Sequence, residues 1–178
     1  VTTYTVSGKD PDGNDVVRTT TMEYQGPLSQ LSLIDGPYAN AVKDDRTVLE
    51  YYPDHYTQGD NRAKLKRVTL PEGLVIVDDI TYTPTGKRSY YNTANGLQVS
   101  LEYYPGTDYL ESVVMIDPEL GTLRRILWTY LPTGEIETIT LGAGSADSTV
   151  LRLVYDDARR LHRIVDGEGN YMQYTLDT

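Results

Sequence analysis

There is no cysteine and no phenylalanine in this 178-residue chain, and it holds one tryptophan and two histidines. Without cysteine there is no disulfide framework and no thiolate to act as nucleophile or metal ligand, which fits any compartment. No stretch approaches the eighteen or so apolar residues of a membrane helix, and Val1 does not begin a signal peptide. A start without Met and an abrupt end at Thr178 lead us to expect a segment of a longer chain. Basic residues are also short: a net charge of -10 lacks the positive footprint of a nucleic-acid binder and reads as solubility. Helical patterning is scarce as well. The best candidate, Asp156 to Val165, competes with a repeat described next.

What the chain has instead is tyrosine, sixteen of them, so that nearly all its aromatic bulk carries a hydroxyl. Such side chains suit half-buried pleated surfaces with one end packed and the other wet. They recur in register. Leu49-Glu-Tyr-Tyr-Pro53 returns as Leu101-Glu-Tyr-Tyr-Pro105 and, degraded, as Leu153-Val-Tyr-Asp-Asp157, which spaces Tyr51, Tyr103 and Tyr155 by 52 and again by 52. Between them Thr81-Tyr-Thr-Pro-Thr-Gly86 returns as Thr129-Tyr-Leu-Pro-Thr-Gly134, with Gly73 and Gly121 at matched distances before Tyr82 and Tyr130. Leu65-Lys-Arg-Val68, Leu110-Glu-Ser-Val113 and Leu161-His-Arg-Ile164 form a third echo. Matched offsets of this kind mark tandem repetition.

Each unit reads as strand, turn, strand. Leu151, Leu153 and Tyr155 alternate with Arg152, Val154 and Asp156, as Met172 and Tyr174 alternate with Gln173 and Thr175. Turn formers punctuate the runs at 11–14, 71–73, 84–86, 132–134 and 166–170. We therefore expect an all-β fold: ten to fourteen strands in one antiparallel sheet of consecutive hairpins. Residues 1–47 fit as degenerate repeats, with Tyr4 and Tyr24 as leading tyrosines, and residues 48–178 as full ones. Gly142 to Ser148 reads as a loop insertion. A Leu three residues before a Val or Ile puts the two on opposite faces of a regular strand. Either a bulge intervenes or the Leu packs before the strand begins.

Tyr155-Asp156, Arg160-Leu161, Asp166, Gly169, Tyr174 and Asp177 together resemble the YD repeat of bacterial Rhs proteins. The match is specific over 151–178, looser over 48–135 where Tyr-Tyr replaces Tyr-Asp, and weak before residue 48. Arg159 stands where the family usually has its turn glycine, which predicts a looser turn. The resemblance implies a long β-sheet that spirals into a hollow shell, as in Rhs proteins, toxin-complex proteins and teneurins. In bacteria that shell encloses a C-terminal toxin. The implied partners are further YD repeats of the parent chain and an enclosed toxin or effector, and the implied location is secreted or cell-surface. A short segment would be an open arc with two free edges, able to pair edge to edge into a homodimer.

Chemistry-bearing constellations are thin. His55 and His162 sit in different repeats and outside known catalytic motifs. Gly142-Ala-Gly-Ser-Ala146 is out of register for a nucleophile elbow. Asp10-Pro-Asp-Gly-Asn-Asp15 lacks the glycine and glutamate positions of a calcium loop and reads as a hairpin turn. Asp44/Asp45 and Asp78/Asp79 are strand neighbours that point apart. Asp117-Pro-Glu-Leu-Gly121 is one residue too long for the self-cleavage motif of the Rhs family and reads as a turn. We expect no catalytic residue, metal or cofactor. The expected alternative to a scaffold is a glycan-binding module that uses the tyrosine-rich face.

Overall fold

The computed structural model describes residues 1–38 and 44–175. Fourteen strands occur among them: β1 (Thr2–Lys9), β2 (Asp15–Gln25), β3 (Gln30–Asp35), β4 (Arg46–Tyr51), β5 (Leu65–Thr69), β6 (Val75–Tyr82), β7 (Arg88–Thr93), β8 (Gln98–Tyr103), β9 (Leu110–Asp117), β10 (Gly121–Tyr130), β11 (Ile136–Leu141), β12 (Thr149–Tyr155), β13 (Leu161–Val165) and β14 (Tyr171–Gln173). The helical content among the described residues is two 3₁₀ turns, Tyr56–Asn61 and Pro71–Gly73. Asp156 to Val165 is a turn followed by β13, so the repeat pattern prevails over the helical one there.

The chain divides into two compact units, Val1–Asn95 and Gly96–Thr178. In each, consecutive strands pair antiparallel in sequence order, and among the described residues no pairing closes a sheet into a barrel. Consecutive hairpins explain this order, because a short turn leaves the next strand nowhere to pair but alongside its predecessor.

Residue alternation sorts the two faces. In the second unit Leu101, Val113, Ile126 and Leu141 lie opposite one another across β8 to β11, and Leu153, Ile164 and Met172 do so across β12 to β14. The other face of that unit carries hydrogen-bonded polar side chains. The Thr129 and Thr138 hydroxyls are 2.7 Å apart, and Ser112 donates to Glu102 Oε2 at 2.7 Å. In the first unit Arg67 bridges Asp78 on β6 through two 2.8 Å hydrogen bonds and reaches Glu50 on β4 at 3.6 Å. Arg67 holds the Asp78 carboxyl below its ordinary range.

A single layer has no second layer to bury it. Among the described residues Ile80 and Val99 are the buried apolar side chains, and Ser112 is the one buried polar one. Ser112 tolerates burial because Glu102 accepts its proton. Stability here rests on ladder hydrogen bonds and cross-strand pairs more than on a thick core.

Candidate functional site

The repeat signature gathers along the margins of each sheet. Tyr24, Tyr51, Tyr82, Tyr103, Tyr130 and Tyr155 stand at or beside the ends of β2, β4, β6, β8, β10 and β12, just ahead of the turn into the next strand. At all six the register slips by one residue. Tyr51 faces Leu65 while Glu50 faces Arg67, leaving Lys66 as the extra residue. Tyr155 faces Leu161 while Val154 faces Arg163, leaving His162. Tyr24, Tyr82, Tyr103 and Tyr130 repeat the slip opposite Ser32, Ser89, Glu111 and Glu137. This β-bulge settles the odd Leu-to-Ile offset: one extra residue returns Leu161 and Ile164 to the same face.

A bulge disrupts the ladder, and the carbonyl just before it needs a donor. The next tyrosine supplies one. Tyr51 Oη donates to the Leu31 carbonyl at 2.9 Å, Tyr82 to Leu65 at 2.8 Å, Tyr130 to Leu110 at 3.0 Å and Tyr155 to Ile136 at 2.8 Å. Leu65, Leu110 and Ile136 open β5, β9 and β11, and Leu31 is the second residue of β3. These four hairpins are thus fastened to their predecessors by a side chain as well as by the ladder. Burial raises these four phenols above their ordinary range, so they keep the proton that the bond requires. Tyr104 extends the pattern in the other direction, donating to the Trp128 carbonyl at 2.9 Å and packing edge-on against Tyr130. Tyr109 stacks on the same Tyr130 ring at 4.6 Å.

The turns behind the tyrosines share one closure whatever their length. The residue after the tyrosine donates its N–H to the carbonyl of the residue before the next strand. This joins Tyr52 to Lys64 at 2.9 Å, Thr83 to Lys87 at 2.8 Å, Tyr104 to Tyr109 at 3.0 Å, Leu131 to Glu135 at 2.8 Å and Asp156 to Arg160 at 3.0 Å. In the five-residue turns the fourth position is left-handed, held by Gly86 at φ 88° and Gly134 at φ 99°. Arg159 holds the same position at φ 63°. Its turn is not looser than the glycine ones: Arg159 N–H reaches the Asp156 carbonyl at 2.9 Å, as Gly134 N–H reaches Leu131 at 2.8 Å. Its guanidinium spans to the previous turn, where it bonds the Glu135 carboxylate and the Thr133 carbonyl. Arg159 holds the Glu135 carboxyl at about 2.

The remaining signature residues occupy turn and strand-end positions. Asp156 Oδ1 accepts the N–H groups of Ala158 and Arg160, and Leu161 opens β13. At the opposite margin Gly73 ends the 3₁₀ turn before β6, and Gly121 opens β10. There Asp166 Oδ1 accepts from Glu168 and Asn170, with Gly169 left-handed at φ 88°. Asp10 builds the same turn at 10–14, so its oxygens serve backbone and Asn14 donors. Backbone and Asn or Arg donors hold all three aspartates below their ordinary range. Asp117 Oδ1 likewise caps its turn through Glu119 and Leu120. Tyr174 lies just past β14, its hydroxyl 3.3 Å from Met172 Sδ, and Asp177 lies outside the described residues. His55 caps the first 3₁₀ turn through Thr57, and His162 is the bulge residue of β13. No group of three or more metal-binding side chains occurs among the described residues.

No protein-family model and no curated protein matches the chain. Solved structures do. The crystal structures of TcdB2-TccC3-Cdc42, of TcdB2-TccC3 and of TcdB2-TccC3 without its hypervariable C-terminal region each align with a TM-score of 0.66 and 18% identity. The alignments cover 85% of this chain and 7% of theirs. What is shared is the fold, a sheet of consecutive antiparallel hairpins. At this identity the likeness is one of fold. This sheet carries four of its tyrosines as fasteners between hairpins.

Proposed function

We propose that this chain is a wall segment of an Rhs/YD-repeat shell, a non-enzymatic scaffold whose partners are further YD repeats and an effector enclosed by them. The observation that carries the reading is the tyrosine bond that ties four hairpins to the one before, made by Tyr51, Tyr82, Tyr130 and Tyr155. It gives the repeat an architectural task that needs no catalytic group. The fold shared with the TcdB2-TccC3 structures supports the shell-like role in general. Secretion or display at a cell surface follows from the same reading.

The test is made on the longer chain expected around this segment. Its flanks should carry further YD repeats, and an effector co-expressed within it should resist protease while the wall is intact. Flanks without such repeats, or an effector digested as fast as the free protein, would overturn the proposal. The isolated segment also has a route to a second copy through the outer edge of β1, whose eight residues are all exposed. Sedimentation that shows a monomer across concentrations removes that part. The glycan-binding alternative needs tyrosine hydroxyls directed at a ligand, and those of Tyr51, Tyr82, Tyr130 and Tyr155 already donate to carbonyls.

A further inference from the structure

Besides the repeat signature the chain carries one Asn-Gly step, Asn95-Gly96, in the turn after β7. Both residues are exposed. Gly96 adopts φ 82°, and a Cβ built on it would meet nothing within 4 Å, so the residue that follows Asn95 adds no side-chain bulk and the space beside its Cα is open. The side-chain amide of Asn95 is polarised as well: the Thr93 hydroxyl donates to Asn95 Oδ1 at 2.5 Å, drawing electron density from Cγ.

We propose that Asn95 is a site of spontaneous deamidation and backbone isomerisation. The Gly96 nitrogen, having lost its proton to hydroxide, attacks Asn95 Cγ. The new N–Cγ bond closes a five-membered succinimide as the Cγ–Nδ2 bond breaks and ammonia leaves with a proton from water. Water then adds to one imide carbonyl, the ring C–N bond at that carbon breaks and the nitrogen takes up a proton, giving aspartate when Cγ is attacked and isoaspartate when the main-chain carbonyl is. No oxidant, metal or partner takes part. Two other asparagines show why position 95 stands apart. Asn14 Nδ2 is tied to Asp10 at 3.0 Å and Asn170 Nδ2 to Asp166 at 2.9 Å, and each is followed by a residue with a side chain. The product matters to a hairpin fold, because isoaspartate inserts a methylene into the turn backbone and adds a negative charge to a chain that already carries a net -10.

The experiment incubates the folded chain at neutral and mildly alkaline pH, then maps peptides and follows ammonia release and isoaspartyl methylation. We expect conversion at Asn95 ahead of Asn14, Asn61, Asn92 and Asn170, at a rate that rises with hydroxide concentration. Asn95→Gln should abolish the early ammonia release. Thr93→Val should slow conversion while leaving its position unchanged. An unconverted Asn95, or conversion that starts at Asn14 or Asn170, would overturn the site. A Thr93→Val rate equal to that of the parent chain would overturn the assistance by Thr93. Circular dichroism on each variant confirms that the comparison is made on folded protein.

Discussion

Arg159 sits at φ 63° in a position that Gly86 and Gly134 fill elsewhere. A side chain in that region costs about 1–2 kcal/mol relative to the right-handed one, and the reach to Glu135 and Thr133 on the previous turn offsets it. Arg159→Ala keeps the backbone cost and loses the contact, whereas Arg159→Gly loses both. In urea unfolding the Ala variant should be less stable than the Gly variant by about 1 kcal/mol. Glu135 adds a pH signature. With its carboxyl held at about 2 instead of its ordinary 4.5, its contribution is fully present above pH 4.5 and is lost as pH falls towards 2. Glu135→Gln should therefore be less stable than the parent chain at neutral pH, and the difference should vanish in acid titration near pH 2. Nothing in the sequence pointed to this pair, because its members lie 24 residues apart and belong to two turns.

At the scale of the hairpin, the absence of phenylalanine has a physical reason. A ring alone would fill the place of Tyr51, Tyr82, Tyr130 or Tyr155, but it would leave a strand-end carbonyl without its donor. Replacing any one by Phe should cost about 1 kcal/mol in chemical unfolding while the far-ultraviolet spectrum stays unchanged. The bulge makes a sharper prediction. Deleting His162 slides Arg163 to Val165 by one position and turns the half-buried Ile164 to the other face, at a cost of about 1 kcal/mol for the lost apolar burial. His162→Ala keeps the count of residues and should cost far less, so the two variants separate the spacing from the side chain. The tyrosines, the turns and the loop at Gly142 to Ser148 were legible because they are local patterns of residue type. Whether Leu161 and Ile164 share a face was not, since a bulge changes the period without changing the residues. The acceptors of the tyrosine bonds were illegible for another reason: a backbone carbonyl has no sequence signature. The 52-residue spacing, moreover, covers two hairpins, and the bulges show that Tyr51, Tyr82, Tyr103, Tyr130 and Tyr155 head units of one kind.

Over the whole molecule the thin core dictates how stability is distributed. Each strand is held by its neighbours, so protection should fall towards strands that have one neighbour. Native-state hydrogen exchange should find β1 and β14 opening first, and the amides around Ile80 and Val99 last. Uniform protection across all fourteen strands would show a cooperativity that nearest-neighbour pairing does not supply. All-β architecture and strand order followed from the repeat pattern, because consecutive hairpins permit few other topologies. The boundary of the compact units at Asn95/Gly96 has no mark in composition, and a unit boundary is a property of contacts.

The closure behind these five tyrosines is the same whether the turn spans five residues, paired ends included, or the longer 52–64 segment. Register is therefore set by tyrosine, bulge and carbonyl, and the connection itself is released from that duty. Selection can lengthen, shorten or exchange these loops while the strands stay in step, as the 3₁₀ turn at Tyr56–Asn61 already illustrates. Novelty in such a protein would accumulate at its margins, and the pattern that runs between them would change slowly.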